Sequence, residues 1–392
     1  MAYFVAPYFT AFNFGTDDND KFFLWNWNLS YRGYIYGQGG NDSFFISENF
    51  KGLVWGGAGV DLASFGDTSF GVTLNNTRGY VVSSTGVTAS ADRYHGTSFD
   101  DVFIGGDVDR YLDNPWDYNN DFYGGAGNDT FYNGNGRGRF EGERGNDTAY
   151  GGDDRLVFFG GVGNDRGYGG NGNDGFYGGD DRDYLLGNGG NDWIRGGDGG
   201  DLLFGGDDND QLRGDEGNDQ VYSGAGTDRA YGGSGNDFVS GGSENDQVWG
   251  DSGNDRVDGG DGNDMVDGGF GNDVVVGGYG VDVLYGDRYQ TVDGADTFTF
   301  RSSYPGGPRD TGTVQDGTHD QIMDFDVLDR IEIPFGHSFA GLTAAVNEGE
   351  YGVTAFGSGW LVRWNTNGEF NDVVVFGENP VDQVFATYVP LI

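Results

Sequence analysis

Residues 232–267 read GGSGNDFVS, GGSENDQVW, GDSGNDRVD and GGDGNDMVD, four nine-residue units sharing the frame G-G-x-G-N-D-x-U-x, in which U is apolar. Outward from this stretch an aspartate keeps the same phase from Asp129 to Asp282. Eighteen positions lie on that period and sixteen of them are Asp; Gly138 and Leu156 are the departures. The six residues ending at each anchor are mostly Gly, Asn and Asp, which tolerate positive φ and tight turns. The three that follow hold one apolar residue between two variable ones, which reads as a short strand. That apolar position runs from Phe131 and Phe140 through Leu185 and Ile194 to Val275 and Leu284, and Gly167 is its one exception.

Turn and strand therefore alternate, and two units close one right-handed coil of eighteen residues with a thin sheet on each side. The expected fold is all-β: a right-handed parallel β-roll over 124–285, between a β-rich N-terminal region, 1–123, and a C-terminal β cap, 286–392. The roll would contain about nine coils, roughly 43 Å of stacked strands at ordinary spacing. Anchors eighteen residues apart then lie above one another. One ladder is Asp129, Asp147, Asp165, Asp183, Asp201, Asp219, Asp237, Asp255 and Asp273; the other is Asp174, Asp192, Asp210, Asp228, Asp246, Asp264 and Asp282. Columns of carboxylates at strand spacing repel unless a hard cation lies between them. Ca²⁺ suits them, taking six to eight oxygens from carboxylates and turn carbonyls, whereas Mg²⁺ is too small and too strict in geometry. With no cysteine and three scattered histidines, a transition metal has no ligands here.

The nonapeptides resemble those of the RTX (repeat-in-toxin) family, whose signature is a calcium-binding parallel β-helix repeat. The resemblance implies that consecutive turns clamp Ca²⁺ through the Asp carboxylates and backbone carbonyls. It is residue by residue over 124–285, apart from Gly138, Leu156, Gly167 and the variants GGDDRL at 151–156 and GGDDRD at 178–183. The early coils are accordingly expected to bind fewer ions than the later ones. Four degenerate turns before the array, ending at Asp20, Asp42, Asp61 and Asp101, are similar and join the candidate metal ligands. ADTFTF at 295–300 and DQIMDFDVLDRIEIP at 320–334 resemble the cap that follows such rolls in serralysin-type secreted proteases.

A formal net charge of −42 opposes nucleic-acid binding, which needs basic patches. No apolar run is long enough to span a membrane, and the N-terminal residues lack the pattern of a secretory leader. Extracellular calcium modules bind at about 10⁻⁴–10⁻³ M, beyond the reach of cytosolic calcium. The expected location is therefore outside the cell or on its surface. RTX proteins are similar in leaving Gram-negative bacteria through a type I exporter that reads the C-terminus, which here ends in VDQVFATYVPLI.

Residues 1–123 are dense in aromatics, sixteen in the first fifty, and alternate as strands do. They read as a seat for the first coil or as a contact surface; whether they continue the roll stays open. Residues 286–392 also read as strands and would close the open sheet edge. Within the roll, Tyr132, Tyr150, Tyr168, Leu186, Phe204 and Tyr222 form a stripe three residues past the first ladder. Phe159, Tyr177, Tyr231, Trp249 and Tyr285 form another, interrupted by Arg195 and Arg213. A stripe this long is covered, stacks along the sheet, or meets a partner: another copy of the chain or an extracellular polysaccharide.

Nothing in the sequence reads as catalytic. Gly250-Asp251-Ser252-Gly253 spells a serine-protease motif but lies in phase with the repeat, and His95, His319 and His337 form no H-E-x-x-H. The expected function is a secreted, calcium-rigidified structural protein that is not an enzyme and assembles into a surface layer, sheath or filament. An adhesin or polysaccharide-binding module is the alternative, and a carbohydrate-active enzyme in 1–123 comes third.

Overall fold

The structure, a computed structural model, describes residues 93–104, 120–287 and 294–299, together with the segments 3–6, 13–14, 19–24, 33–36, 43–47, 52–55, 62–67, 73–75, 81–83, 87–90, 320–325, 330–332, 351–356, 359–366, 369–377 and 384–385. All regular structure among them is β. By compactness the chain divides into two units, Met1–Gly197 and Asp198–Ile392.

In the second unit the nine-residue frame sends successive strands to opposite sheets. Leu202–Asp207, Gln220–Ala225, Phe238–Ser243, Arg256–Asp261 and Val274–Tyr279 pair in parallel in one sheet, with Leu203, Val221, Val239, Val257 and Val275 in register. Gln211–Gly217, Arg229–Ser234, Gln247–Ser252, Met265–Asp267 and Val283–Tyr285 make the other, with Leu212, Ala230, Val248, Val266 and Leu284 in register. Each residue meets the one eighteen positions on, so the chain is a parallel β-solenoid with an eighteen-residue coil. These ten inward residues are at most 1% exposed and form a core one side chain deep from each sheet.

Beyond the array, the strand Val274–Tyr279 pairs with Thr297–Thr299, then Arg330–Glu332, then Val384–Phe385. The other sheet continues through Asp320–Phe325 to Glu369–Gly377, all parallel. It then turns antiparallel through Gly359–Thr366 and Tyr351–Phe356. These antiparallel strands extend the sheet without another coil.

The first unit has the same plan with a larger core. Phe122, Phe140, Phe158 and Phe176 align in one sheet, and Phe131, Ala149, Gly167 and Leu185 in the other. Gly167 has a packing reason. A Cβ there would lie 3.1 Å from both Leu185 Cδ2 and Phe158 Cδ1 and 3.3 Å from Phe176 Cδ2, so neighbouring side chains fill its slot. Parallel pairing also reaches back through Arg93–His95, Leu62–Asp67, Ser43–Ser47 and Lys21–Leu24 to Tyr3–Ala6. Coil length varies there: Phe22 pairs with Phe44 and Tyr94 with Phe122. Val81–Ser83 is an antiparallel insertion between Thr73–Asn75 and Val87–Ser90, which themselves pair in parallel with Val102–Ile104 and Gly52–Trp55.

Candidate metal centre

All sixteen anchors of the two ladders are buried, between 0 and 4% exposed, although an unpaired buried carboxylate is among the costliest groups a fold can hold. Asp20 and Asp101 are equally buried at 1%; Asp42 and Asp61 lie outside the described residues. The stacking answers half of the demand. Along each ladder within a unit, an anchor's Oδ1 accepts the backbone N–H of the anchor eighteen residues earlier: Asp129 donates to Asp147, Asp147 to Asp165 and Asp165 to Asp183, at 2.6–2.7 Å. In the second unit Asp201, Asp219, Asp237 and Asp255 donate in turn to Asp219, Asp237, Asp255 and Asp273 at 2.7–2.8 Å. Asp210, Asp228, Asp246 and Asp264 do the same as far as Asp282.

Where an asparagine precedes the anchor, it runs a second ladder in the opposite sense. Asn146 N–H donates to Asn128 Oδ1, and Asn236, Asn254 and Asn272 continue this in the second unit, at 2.6–2.8 Å. Sequence reasoning passed over this role, although the N of G-N-D was visible in every good repeat. It also missed Asp296, whose Oδ1 accepts the Asp273 N–H at 2.9 Å and which is 1% exposed. Asp296 keeps the anchor-to-core spacing of the repeat, two residues before the buried Phe298, but lies off its nine-residue phase.

The other carboxylate oxygen is where a cation is needed. Oδ2 of Asp129, Asp147, Asp165, Asp219, Asp228, Asp237, Asp246, Asp255 and Asp264 is buried with no hydrogen-bond donor. The first glycine of each unit explains what surrounds it. A Cβ on Gly232 would lie 2.6 Å from both Asp237 Oδ2 and the Gly250 carbonyl oxygen of the next coil. Gly241 faces Asp246 Oδ2 and Gly259 O, and Gly259 faces Asp264 Oδ2 and Gly277 O, at 2.5–2.6 Å. Each turn thus keeps a carboxylate and a main-chain carbonyl together where any side chain would collide. A buried carboxylate oxygen without a donor, held beside a main-chain carbonyl, offers a cation two oxygen ligands.

Burial is the leading cause of a large rise in these carboxyl pKa values. Asp129, Asp165 and Asp246 are pushed to about 8, and Asp147, Asp174, Asp237 and Asp255 to about 7. Asp219, Asp228 and Asp264 rise to about 6. Further negative charge is close by. Glu143, Asp215 and Asp251 replace the second glycine of their units, at φ of 75°, 81° and 73°, and repel Asp147, Asp219 and Asp255. An acidic residue in a left-handed conformation that costs on the order of 1 kcal/mol, beside a buried carboxylate, makes sense next to a positive ion.

No group of three or more His, Asp or Glu side chains among the described residues could hold a metal by itself. The ligands must come from one carboxylate per turn together with main-chain carbonyls, an all-oxygen set that suits Ca²⁺ and offers zinc nothing. The RTX calcium-binding nonapeptide repeat, as a model of four copies, matches residues 88–107, 117–140, 132–166, 159–194, 195–230, 231–266 and 258–288. The chain belongs to the RTX calcium-binding nonapeptide-repeat family. No curated protein matches it. RTX repeats bind Ca²⁺, and the buried Asp ladder fits their turns. They are typical of secreted proteins and are typically structural or toxin-associated. Among the described residues no helix is long and apolar enough to cross a membrane.

The aromatic stripes of this RTX roll stack along its sheets. Tyr132, Tyr150 and Tyr168 lie face to face at 5.0 and 5.1 Å, tilted by only 7° and 6°. Phe204 and Tyr222 stack at 5.1 Å, and Tyr231 and Trp249 at 4.4 Å. Arg195 lies over Tyr177 at 5.6 Å, so the basic interruption joins the row as a cation–π partner. The rings cover one another's faces and present their edges; Tyr132 and Tyr150 remain 45% and 38% exposed. Of the would-be catalytic groups, Ser252 ends a strand of the roll and His95 stacks on Tyr123 at 4.4 Å. His319 and His337 lie outside the described residues.

Proposed function

We propose that this RTX protein is a structural component, secreted by a type I exporter of a Gram-negative bacterium, that calcium folds outside the cell and that then associates with its own copies into a layer, sheath or filament. It performs no catalysis. The observation that carries this reading is the set of nine buried Oδ2 atoms with no donor. Without a cation they oppose folding, and calcium at the roughly 10⁻⁴–10⁻³ M that extracellular modules need is met only outside the cell. Charge repulsion in a chain of net charge −42 keeps it extended before export.

Self-association is supported by apolar groups left at the surface. Besides the tyrosine row, Val162, Phe270 and Trp193 are 46%, 47% and 49% exposed. Ring edges with phenolic hydroxyls suit contact between proteins. A sugar polymer stacks on ring faces, and the rings cover those themselves, so the polysaccharide-binding alternative is not carried further.

Sedimentation velocity and electron microscopy of the full chain, in millimolar calcium and in EGTA, test the proposal. Large regular particles in calcium and an extended monomer in EGTA are expected, and Tyr150→Ser should reduce the particles. Monomers in calcium would remove the assembly reading; unchanged β structure in EGTA would remove the calcium reading.

A further inference from the structure

Nine units of the second compact unit end their turns on the anchors from Asp210 to Asp282. Eight of them open on glycine; the unit 223–231 opens on Ser223. That position is crowded in its neighbours. At Gly205, one coil earlier, a Cβ would meet Asp210 Oδ2 and the Ser223 carbonyl. At Gly241, one coil later, it would lie 2.6 Å from Asp246 Oδ2 and 2.5 Å from Gly259 O. Phe204, Tyr222 and Ser240 are in register, as are Gly206, Gly224 and Gly242, so Ser223 stands in line with both glycines. Its Cβ therefore takes the equivalent place, toward Asp228 Oδ2 and the Gly241 carbonyl, and one rotatable bond carries the hydroxyl from there.

The turn accommodates this side chain without losing its stacking. Asp228 stays 1% exposed; its Oδ1 accepts the Asp210 N–H at 2.7 Å, and its own N–H donates to Asp246 Oδ1 at 2.9 Å. Ser223 is itself fully buried. Yet its Oγ has no hydrogen-bond partner, and neither has Asp228 Oδ2. A hydroxyl can donate to a carboxylate, but these two leave each other unsatisfied. Buried polar side-chain atoms are mostly hydrogen-bonded, so two that are not, in one turn, call for a third group. A hard cation meets the need, because it takes the lone pairs of both oxygens and wants more oxygens than one carboxylate and one carbonyl supply. Negative charge is also gathered over this turn. Glu244, in the next coil, holds a φ of 72°, and its Oε2 accepts the Gly226 N–H at 2.8 Å. Burial is the leading cause of the rise of the Asp228 carboxyl to about 6, and Glu244 adds to it.

We propose that Ser223 Oγ is a calcium ligand, which joins Asp228 Oδ2 and the Gly241 carbonyl and sets the turn 223–228 apart from the turns that open on glycine. This deepens the calcium reading and rests on it. The hydroxyl adds an oxygen to the site without adding charge to a chain that already carries −42. Ser223 then serves two turns, with its carbonyl beside Asp210 Oδ2 and its side chain beside Asp228.

Native mass spectrometry of the full chain through a calcium titration, which resolves ions one by one, is the test. Ser223→Ala removes Oγ alone and introduces no clash, since the serine Cβ already stands there. At the free calcium that just saturates wild type, this variant should hold about one ion fewer, and regain it only at several-fold higher calcium. The same ion count as wild type at every calcium concentration overturns the proposal. Ser223→Gly restores the frame and should add no ion. A further ion in either variant also overturns the proposal, because the hydroxyl would then have been closing the turn as a donor to Asp228. Wild-type protein that binds no calcium at all would instead defeat the calcium reading on which this rests.

Discussion

Raising the pH should unfold the metal-free roll and tighten its hold on calcium. The ten anchors whose carboxyls rise from 3.8 to between about 6 and about 8 fix the sign. Between pH 4 and 8 the folded metal-free chain keeps protons that the unfolded chain has released. The unfolded state then binds fewer protons, so metal-free stability falls as pH rises through that window. The penalty is complete above about pH 8 and absent below about pH 4. A rise of three units, as at Asp237, corresponds to about 4 kcal/mol. All ten groups push in the same direction, so metal-free protein is expected to lose its roll as the pH approaches 8.

Calcium takes the place of those protons, so binding must release them. Far-UV circular dichroism of the full chain, titrated with calcium at half-unit steps from pH 5.5 to 8, reads the consequence. The midpoint should fall as pH rises, by up to about tenfold per pH unit for each proton displaced per ion. A weakly buffered sample should acidify during the titration. A midpoint that ignores pH, or metal-free protein that keeps its β signal at pH 8, would refute the assignment of the buried carboxylates as calcium ligands.

Gly232→Ala puts a methyl group 2.6 Å from both Asp237 Oδ2 and Gly250 O; it should raise the calcium midpoint sharply, whereas Gly175→Ala, whose nearest neighbour would be Arg155 at 3.5 Å, should leave it nearly unchanged. Asp237→Ala leaves the buried Asp219 N–H without its acceptor, costing about 1–3 kcal/mol in addition to the lost ligand, and thermal unfolding in saturating calcium should show it. Gly167→Val overfills the slot held by Phe158, Phe176 and Leu185 and should cost about 1–3 kcal/mol in the same assay, with the number of bound ions unchanged.

The coil and its ladders were legible because one residue type recurs at one phase and an apolar residue follows at a fixed distance. What escaped was carried by irregular spacing or by main-chain atoms. The spacing from Tyr94 to Phe122 is longer than a standard coil and the antiparallel strand Val81–Ser83 is inserted between Thr73–Asn75 and Val87–Ser90, so the sequence before residue 123 shows no period although most of its described strands pair in parallel. Asp296 was hidden by the extra residues between Gly286 and the anchor. The carboxylate's second duty, accepting a neighbour's N–H through Oδ1, cannot be read from side-chain types, because it depends on the rotation that stacking imposes.

That second duty explains why this ladder uses aspartate and not merely any anionic side chain. With Oδ1 fixed by the backbone of one coil, Oδ2 is aimed beside the carbonyl of the next, as at Asp237 beside Gly250 O. Glutamate has one more rotatable bond, and to hold both contacts it would have to give up more conformational freedom in every coil. Asparagine could accept at Oδ1 but would turn an amide N–H₂ toward the carbonyl and close the turn without a metal, as Asn133 does with Gly136. Asp237→Asn should therefore leave coil stacking intact while removing a calcium ion, and Asp237→Ala should remove both. If the two variants lose calcium and stability to the same extent, the division of labour between the two carboxylate oxygens is wrong.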